Sequence, residues 1–172
     1  MLDTVFSIWS WIRWIHIMSA IAWIGGQLFI LLILLPIMRT ALPRNERTLL
    51  FAQVGRRYAV VSWIALTLLI VTGFLNGERR SVAWEHLTDS SYGRILFTKL
   101  IFVAIVLVVT LVHALYFGRR ITELAERSAT IGYDDPKIAA ERRRLQILSG
   151  VLSGLNLLLN LVVVLLAAAL VA

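Results

Sequence analysis

The sequence predicts an all-α, integral membrane four-helix bundle, antiparallel and up-down-up-down, on three observations. Hydrophobic residues make up 59% of the 172-residue chain and charged ones only 16%, a more apolar balance than water-solvated domains carry. Four stretches, 14–38, 58–77, 100–118 and 145–172, contain no Asp, Glu, Lys or Arg. Each reaches the roughly 20 residues that a helix needs to cross a hydrocarbon layer about 30 Å thick. The apolar runs do not alternate, which excludes the strands of a barrel, the other structure that satisfies its backbone within lipid.

The first helix is predicted over about residues 8–38. Asp3 precedes it, no basic segment leads it, and its apolar run is longer than that of a signal peptide, so it is expected to be retained. Trp9, Trp11 and Trp14 at its start, with Trp84 and Tyr92 of a later loop, are expected to form an interfacial aromatic belt. The second helix is predicted over about 57–77, and a short polar loop, 78–93, leads to the third over about 94–120. The connection 119–144 mixes acids and bases around a turn signal at Asp134-Asp135-Pro136 and is expected to extend helices three and four beyond the membrane. The fourth helix is predicted over about 143–172, with Gly150-x-x-x-Gly154 as a helix-packing pattern. A single transmembrane domain, 1–172, accounts for the chain.

The net charge of +7 is distributed as topology rather than as a nucleic-acid surface. Arg39, Arg44, Arg47, Arg56 and Arg57 follow the first helix, and Arg119, Arg120, Arg127, Lys137, Arg142, Arg143 and Arg144 follow the third. The other side carries Arg13, Arg79, Arg80, Arg94 and Lys99. The positive-inside bias therefore places both termini outside the cytoplasm, in the plasma or inner membrane of a prokaryote. Arg142–Arg144 are expected to meet lipid headgroups. The chain has no cysteine, which removes disulfide and thiolate chemistry.

Polar residues at membrane depth are costly and face a bundle interior. His16, Ala20, Trp23 and Gln27 form one stripe on helix one, with Gly25 and Gly26 beside it, and Ser62, Ala65, Leu69, Thr72 and Asn76 form one on helix two. Lys99, Val106, Thr110 and His113 align on helix three, and Ser149, Ser153, Asn156 and Asn160 on helix four. Counted from the outer ends, His16 and Lys99 differ in depth by about 3 Å at 1.5 Å per residue. They are expected to approach one another as two electron-pair donors for a metal or haem iron. Spacing alone leaves open the alternative in which Lys99 snorkels to the interface and His16 bonds a carbonyl. His113, about 21 Å deeper than Lys99, lacks a second histidine at its level and reads as a hydrogen-bonded interior residue. Met18 and Met38 lie about 30 Å apart on one helix and cannot share a copper ion.

The segment Arg13-Trp14-Ile15-His16-Ile17 through Ala22-Trp23-Ile24-Gly25-Gly26, on to Pro36 and Arg39, resembles the first helix of the copper resistance D (CopD) family. Thr72-Gly73 and Tyr92-Gly93-Arg94-Ile95-Leu96-Phe97-Thr98-Lys99-Leu100 resemble the end of its helix two and its entry to helix three. The same skeleton resembles the HemJ-type protoporphyrinogen oxidases, with His16 and Lys99 at their iron-ligand positions and His113 where they have a helix-three histidine. Arg57-Tyr58 is similar to their arginine-rich entry to helix two. The segments 33–39 and 153–156 match that pattern only in part.

The resemblance implies a haem b-binding membrane redox protein, an oxidoreductase linked to quinol or porphyrinogen if it is an enzyme. His16 and Lys99 would ligate the iron, with Trp23, Gln27, His113, Asn156 and Asn160 lining the porphyrin. Partners would be the lipid bilayer, a quinone or a redox protein, with a homo-oligomer left open. The alternatives are a copper-handling protein using His16 with Met18 or His86, and a non-catalytic membrane subunit or assembly factor.

Overall fold

A computed structural model describes residues 7–80, 82, 84–131 and 136–170, and side chains within the helices except those of Arg44, Asn45, Thr48, His86, Ala125, Ser128–Ile131 and Lys137. The described residues are helical apart from short connections, with four helices long and apolar enough to cross a membrane. Helix α1 is Ile8–Ala41, α2 is Arg44–Arg79, α3 is 91–131 and α4 is Pro136–Ala169. Each turns its large apolar side chains outward, among them Ile21, Leu32, Ile64, Val108 and Leu165. A water-soluble bundle would bury such faces, so this is a multi-pass membrane protein in contact with the lipid bilayer.

Helix α1 contains two widened π turns, Ile21–Gly25 and Ile30–Leu34. Pro36 follows the second. It has no N–H to bond the preceding turn and its ring crowds the carbonyl four residues back, so that turn opens. The helix stops at Ala41 because Leu42, restricted by the proline after it, is extended (φ −122°, ψ 142°). Pro43 then starts α2 at Arg44, earlier than the expected 57. The basic residues 44–57 thus lie on the helix itself, beyond the apolar span, rather than in a loop.

Ser7 caps α1 at the Ser10 N–H, and Ser90 caps α3 at the Gly93 N–H. Between α2 and α3, the Trp84 indole donates to Glu78 (2.7 Å) and stacks on Phe74 at 5.7 Å. A Cβ at Gly77 would strike that indole ring. Trp84 therefore folds over the end of α2, and Trp84, Trp11 and Trp14 are all exposed, as a belt requires. Helices α3 and α4 extend past the apolar spans as expected, from 120 to 131 and from 143 back to 136. Asp134 and Asp135 of the expected turn lie outside the described residues.

Closest packing is within two hairpins, α1 with α2 and α3 with α4. His16 meets Thr72 and Trp23 meets Tyr58, while Thr110 meets Asn156 and His113 meets Ser149. Both hairpins are therefore antiparallel, and Arg80 at the end of α2 donates to the Leu170 carbonyl at the end of α4 (3.3 Å). The start of α1, end of α2, start of α3 and end of α4 thus gather at what is here the His16 end. The opposite, basic end holds the α1–α2 turn and the extensions of α3 and α4. Trp23, Ala65, Leu66 and Val106 form the buried centre.

The Tyr58 ring lies flat against Gly26, so that a Cβ there would overlap it, while nothing lies within 4 Å of a Cβ at Gly25. Gly26→Ala is expected to destabilise the detergent-solubilised protein by about 1–3 kcal/mol through overpacking. Gly25→Ala should be neutral or stabilising. Tyr58→Ala should abolish the difference between them, and equal melting of the two single variants would contradict this seating.

Candidate functional site

His16 is positioned by α2. Its Nδ1 lies 2.8 Å from Thr72 Oγ1, and the single Thr72 hydroxyl proton is donated to the Leu68 carbonyl one turn back. Thr72 can then only accept from the imidazole, so Nδ1 carries the proton and donates it. The tautomer is fixed, and Nε2 is left with a lone pair, the arrangement that metal-binding histidines use. Gly73 lets the ring seat against α2, since a Cβ there would come to 3.4 Å from His16 Cε1. Lys99, half-buried on α3, lies close enough for its charge to act on His16, and Arg80 acts in turn on Lys99. His16 and Lys99 thus lie at the same end of the bundle.

Below this pair, the interior stripes interlock. The Trp23 indole donates to Asn160 Oδ1 (3.0 Å), Asn160 Nδ2 donates to Asn156 Oδ1 (2.7 Å), and Asn156 Nδ2 donates to Thr110 Oγ1 (2.9 Å). This is one directional chain from α1 through α4 to α3, and Trp23, Asn156 and Asn160 are buried. On the other side of Trp23, the Tyr58 hydroxyl donates to the Trp23 carbonyl, and Gln27 and Ser62 reach the same hydroxyl. Trp23 sits in a π turn, where the loosened i→i−4 pattern leaves a carbonyl able to accept from outside the helix.

His113, at the start of a π turn in α3, is held apart from these groups. Its Nε2 lies 3.0 Å from Ser149 Oγ and 3.2 Å from Ser153 Oγ, one turn apart on α4, and its ring stacks on Phe117 at 6.1 Å. Both hydroxyls cover Nε2, so that nitrogen is not open to iron. Met18 is 38% exposed on the outer face of α1, two residues and so more than half a turn from His16. The His86 side chain lies outside the described residues. Among the described residues, no group of three or more His, Cys, Asp or Glu side chains could hold a metal ion.

Sequence reasoning placed Thr72, Thr110 and Ser149 on inward stripes without assigning their partners, and gave Tyr58 no inward role. One signal was available for Thr72. Antiparallel helices joined at a tight turn set side by side the residues equally far from it, and His16 and Thr72 are nearly equidistant from Pro43.

Trp23→Phe and Asn160→Leu are each expected to destabilise the protein, and less than additively in combination. A coupling of roughly 0.5–1.5 kcal/mol is expected, as for hydrogen bonds between membrane helices. Denaturation in mixed micelles measures it, and strict additivity would deny the bond.

Residues 18–130 match the model of DUF4149, a domain of unknown function. The chain is 30% identical over 108 residues, 62% of its own length and 68% of the relative's, to an uncharacterized protein of Aquifex aeolicus (strain VF5). No solved structure matches. The family span takes in Trp23, Gln27, Thr72, Lys99 and His113. It begins just after His16 and stops before α4, so the imidazole and the two asparagines lie outside it. With about two thirds of its length in that span, from α1 through α3, this chain belongs to the DUF4149 family.

Proposed function

We propose that this is a haem b-binding membrane redox protein in which His16 and Lys99 would hold the iron. The observation that carries the reading is the Thr72 hydrogen bond, which commits His16 Nδ1 to donation and leaves Nε2 as a lone-pair donor with the Lys99 amine nearby. An imidazole and an amine suit haem iron, and the donor set contains no thiolate or carboxylate to select another metal. The donor chemistry of His16 and Lys99 suits the group. The resemblance to CopD and HemJ-type proteins supports the same assignment of His16 and Lys99.

When bound, haem would supply one-electron chemistry, with quinol or a partner protein as the donor class. The chain's own contribution is positional: Thr72 orients the imidazole, Gly73 gives it room, and the buried asparagine chain below holds α1 and α4 at fixed depth. By the positive-inside bias, the basic end faces the cytoplasm and the His16 end the opposite side.

A second reading, a non-catalytic membrane subunit, is favoured by one observation. The interior groups Trp23, Asn160, Asn156, Thr110 and Tyr58 are bonded to one another, as helix packing alone would require.

The visible spectrum and metal content of the purified protein separate these readings. A Soret band lost in both His16→Ala and Lys99→Ala is the expected result. Thr72→Val should weaken haem affinity about 10–100-fold, as loss of a ligand's hydrogen-bond partner does. A Soret band that survives both ligand substitutions refutes the assignment. Copper without haem would indicate copper handling through His16, and neither cofactor would leave the packing reading.

A further inference from the structure

At the basic end, away from His16, helices α1 and α4 stand apart and leave a lateral groove of about 450 Å³. Its α1 wall is Leu31, Leu35 and Arg39, spaced i, i+4, i+8, and its α4 wall runs from Arg143 and Gln146 to Gly150 and Val151. The volume falls within the range of small-molecule clefts, about 300–1,000 Å³. Gly150 opens the floor. Neither it nor Gly154 would bring a Cβ within 4 Å of any other atom, so this glycine pair does not pack α4 against another helix of the chain as its pattern predicts.

The groove has two chemically distinct parts. Toward the membrane centre it is apolar and lined by Leu31, Leu35, Ile147 and Val151. At its mouth stand two guanidiniums from different helices, Arg39 and Arg143, with Gln146 beside them. Arg47 adds a third positive charge by donating to the Arg39 carbonyl at 3.5 Å. Among the described residues, Arg120 pairs with Glu123 and Glu141, and no carboxylate pairs with Arg39 or Arg143. A cationic mouth over an apolar slot, at the depth where a helix leaves the hydrocarbon, is complementary to one molecule of the bilayer itself.

We propose that this groove binds an anionic phospholipid, its phosphate between Arg39 and Arg143 and one acyl chain lying along Leu31, Leu35 and Gly150. A second copy of this chain packed through Gly150 and Gly154 is disfavoured, because it would bring the two Arg143 side chains toward each other at the same mouth.

The full chain in detergent, titrated with phosphatidylglycerol or phosphatidylcholine and read by native mass spectrometry, tests this. Phosphatidylglycerol is expected to be retained preferentially, at one molecule per chain. The Arg39→Gln/Arg143→Gln pair should weaken it on the order of tenfold, from the charge attraction lost. Gly150→Leu, which fills the slot and keeps both charges, should also displace the lipid. Helical circular dichroism and the melting temperature establish that each variant is folded. Equal retention of the two lipids, or unchanged phosphatidylglycerol binding in either folded variant, overturns the proposal. So does a dimer that Gly150→Leu dissociates without loss of lipid, since the occupant would then be a second copy.

Discussion

A polar group in hydrocarbon must find its partner inside the protein, and in this bundle Trp23 meets that constraint for all four helices. Its carbonyl takes the Tyr58 hydroxyl of α2, and its indole N–H enters the chain Asn160, Asn156, Thr110 that crosses α4 and reaches α3. Ala65, Leu66 and Val106 supply the apolar contact between the two hairpins at the buried centre. Apolar contact gains little between membrane helices, because lipid chains are as apolar as the side chains they would replace. Hydrogen bonds that lipid cannot offer therefore hold one hairpin to the other, from the Trp23 indole of α1 to Asn160 of α4.

The same constraint separates the two histidines of the interior. Each has a hydroxyl partner, but the donors and acceptors fall differently. Thr72 has spent its proton on Leu68, so it can satisfy only one nitrogen of His16, and the other keeps its lone pair. Ser149 and Ser153 both sit on Nε2 of His113, so that nitrogen is enclosed by α4. Two residues of one type on inward stripes thus differ in chemical availability because of which hydroxyl faces them.

Composition and charge-free length made the four helices legible, since both depend on the bilayer and not on tertiary detail. The inward stripes were legible for the same reason: Asn156, Asn160, Ser62 and Thr72 are all buried as their spacing requires. Helix ends were less so. The arginines from 44 to 57 read as a loop because charge is costly in lipid, yet a helix emerging from the membrane carries charge freely. The turn was set instead by the restricted backbone of Leu42 before Pro43. Pairwise partners were least legible. Thr72 with His16 and Tyr58 with the Trp23 carbonyl depend on the relative rotation and widened turns of α1, which periodicity of 3.6 does not encode. Gly150-x-x-x-Gly154 shows the same limit, being a contact pattern that no other described helix of the chain fills.

Depth along the bundle also divides the positive charge by role. Arg39 and Arg143 stand at the basic end, while His16 and Lys99 stand at the other, a separation on the order of the hydrocarbon thickness, about 30 Å. Side chains at one end cannot neutralise an anionic group held at the other, so Arg142–Arg144 are not partners for a ligand at His16. Two of the cations at that end are already engaged. Arg79 lies over Trp9 at 5.6 Å, and Arg80 lies over Tyr92 at 5.8 Å while donating to the Leu170 carbonyl. Of these, only Arg80 exerts its charge on Lys99. An anionic group arriving beside Lys99 would thus relieve a repulsion between two like charges as well as gain an attraction. The charge arrangement therefore favours an anion beside Lys99 at the His16 end, whereas the basic end offers an open mouth on two helices.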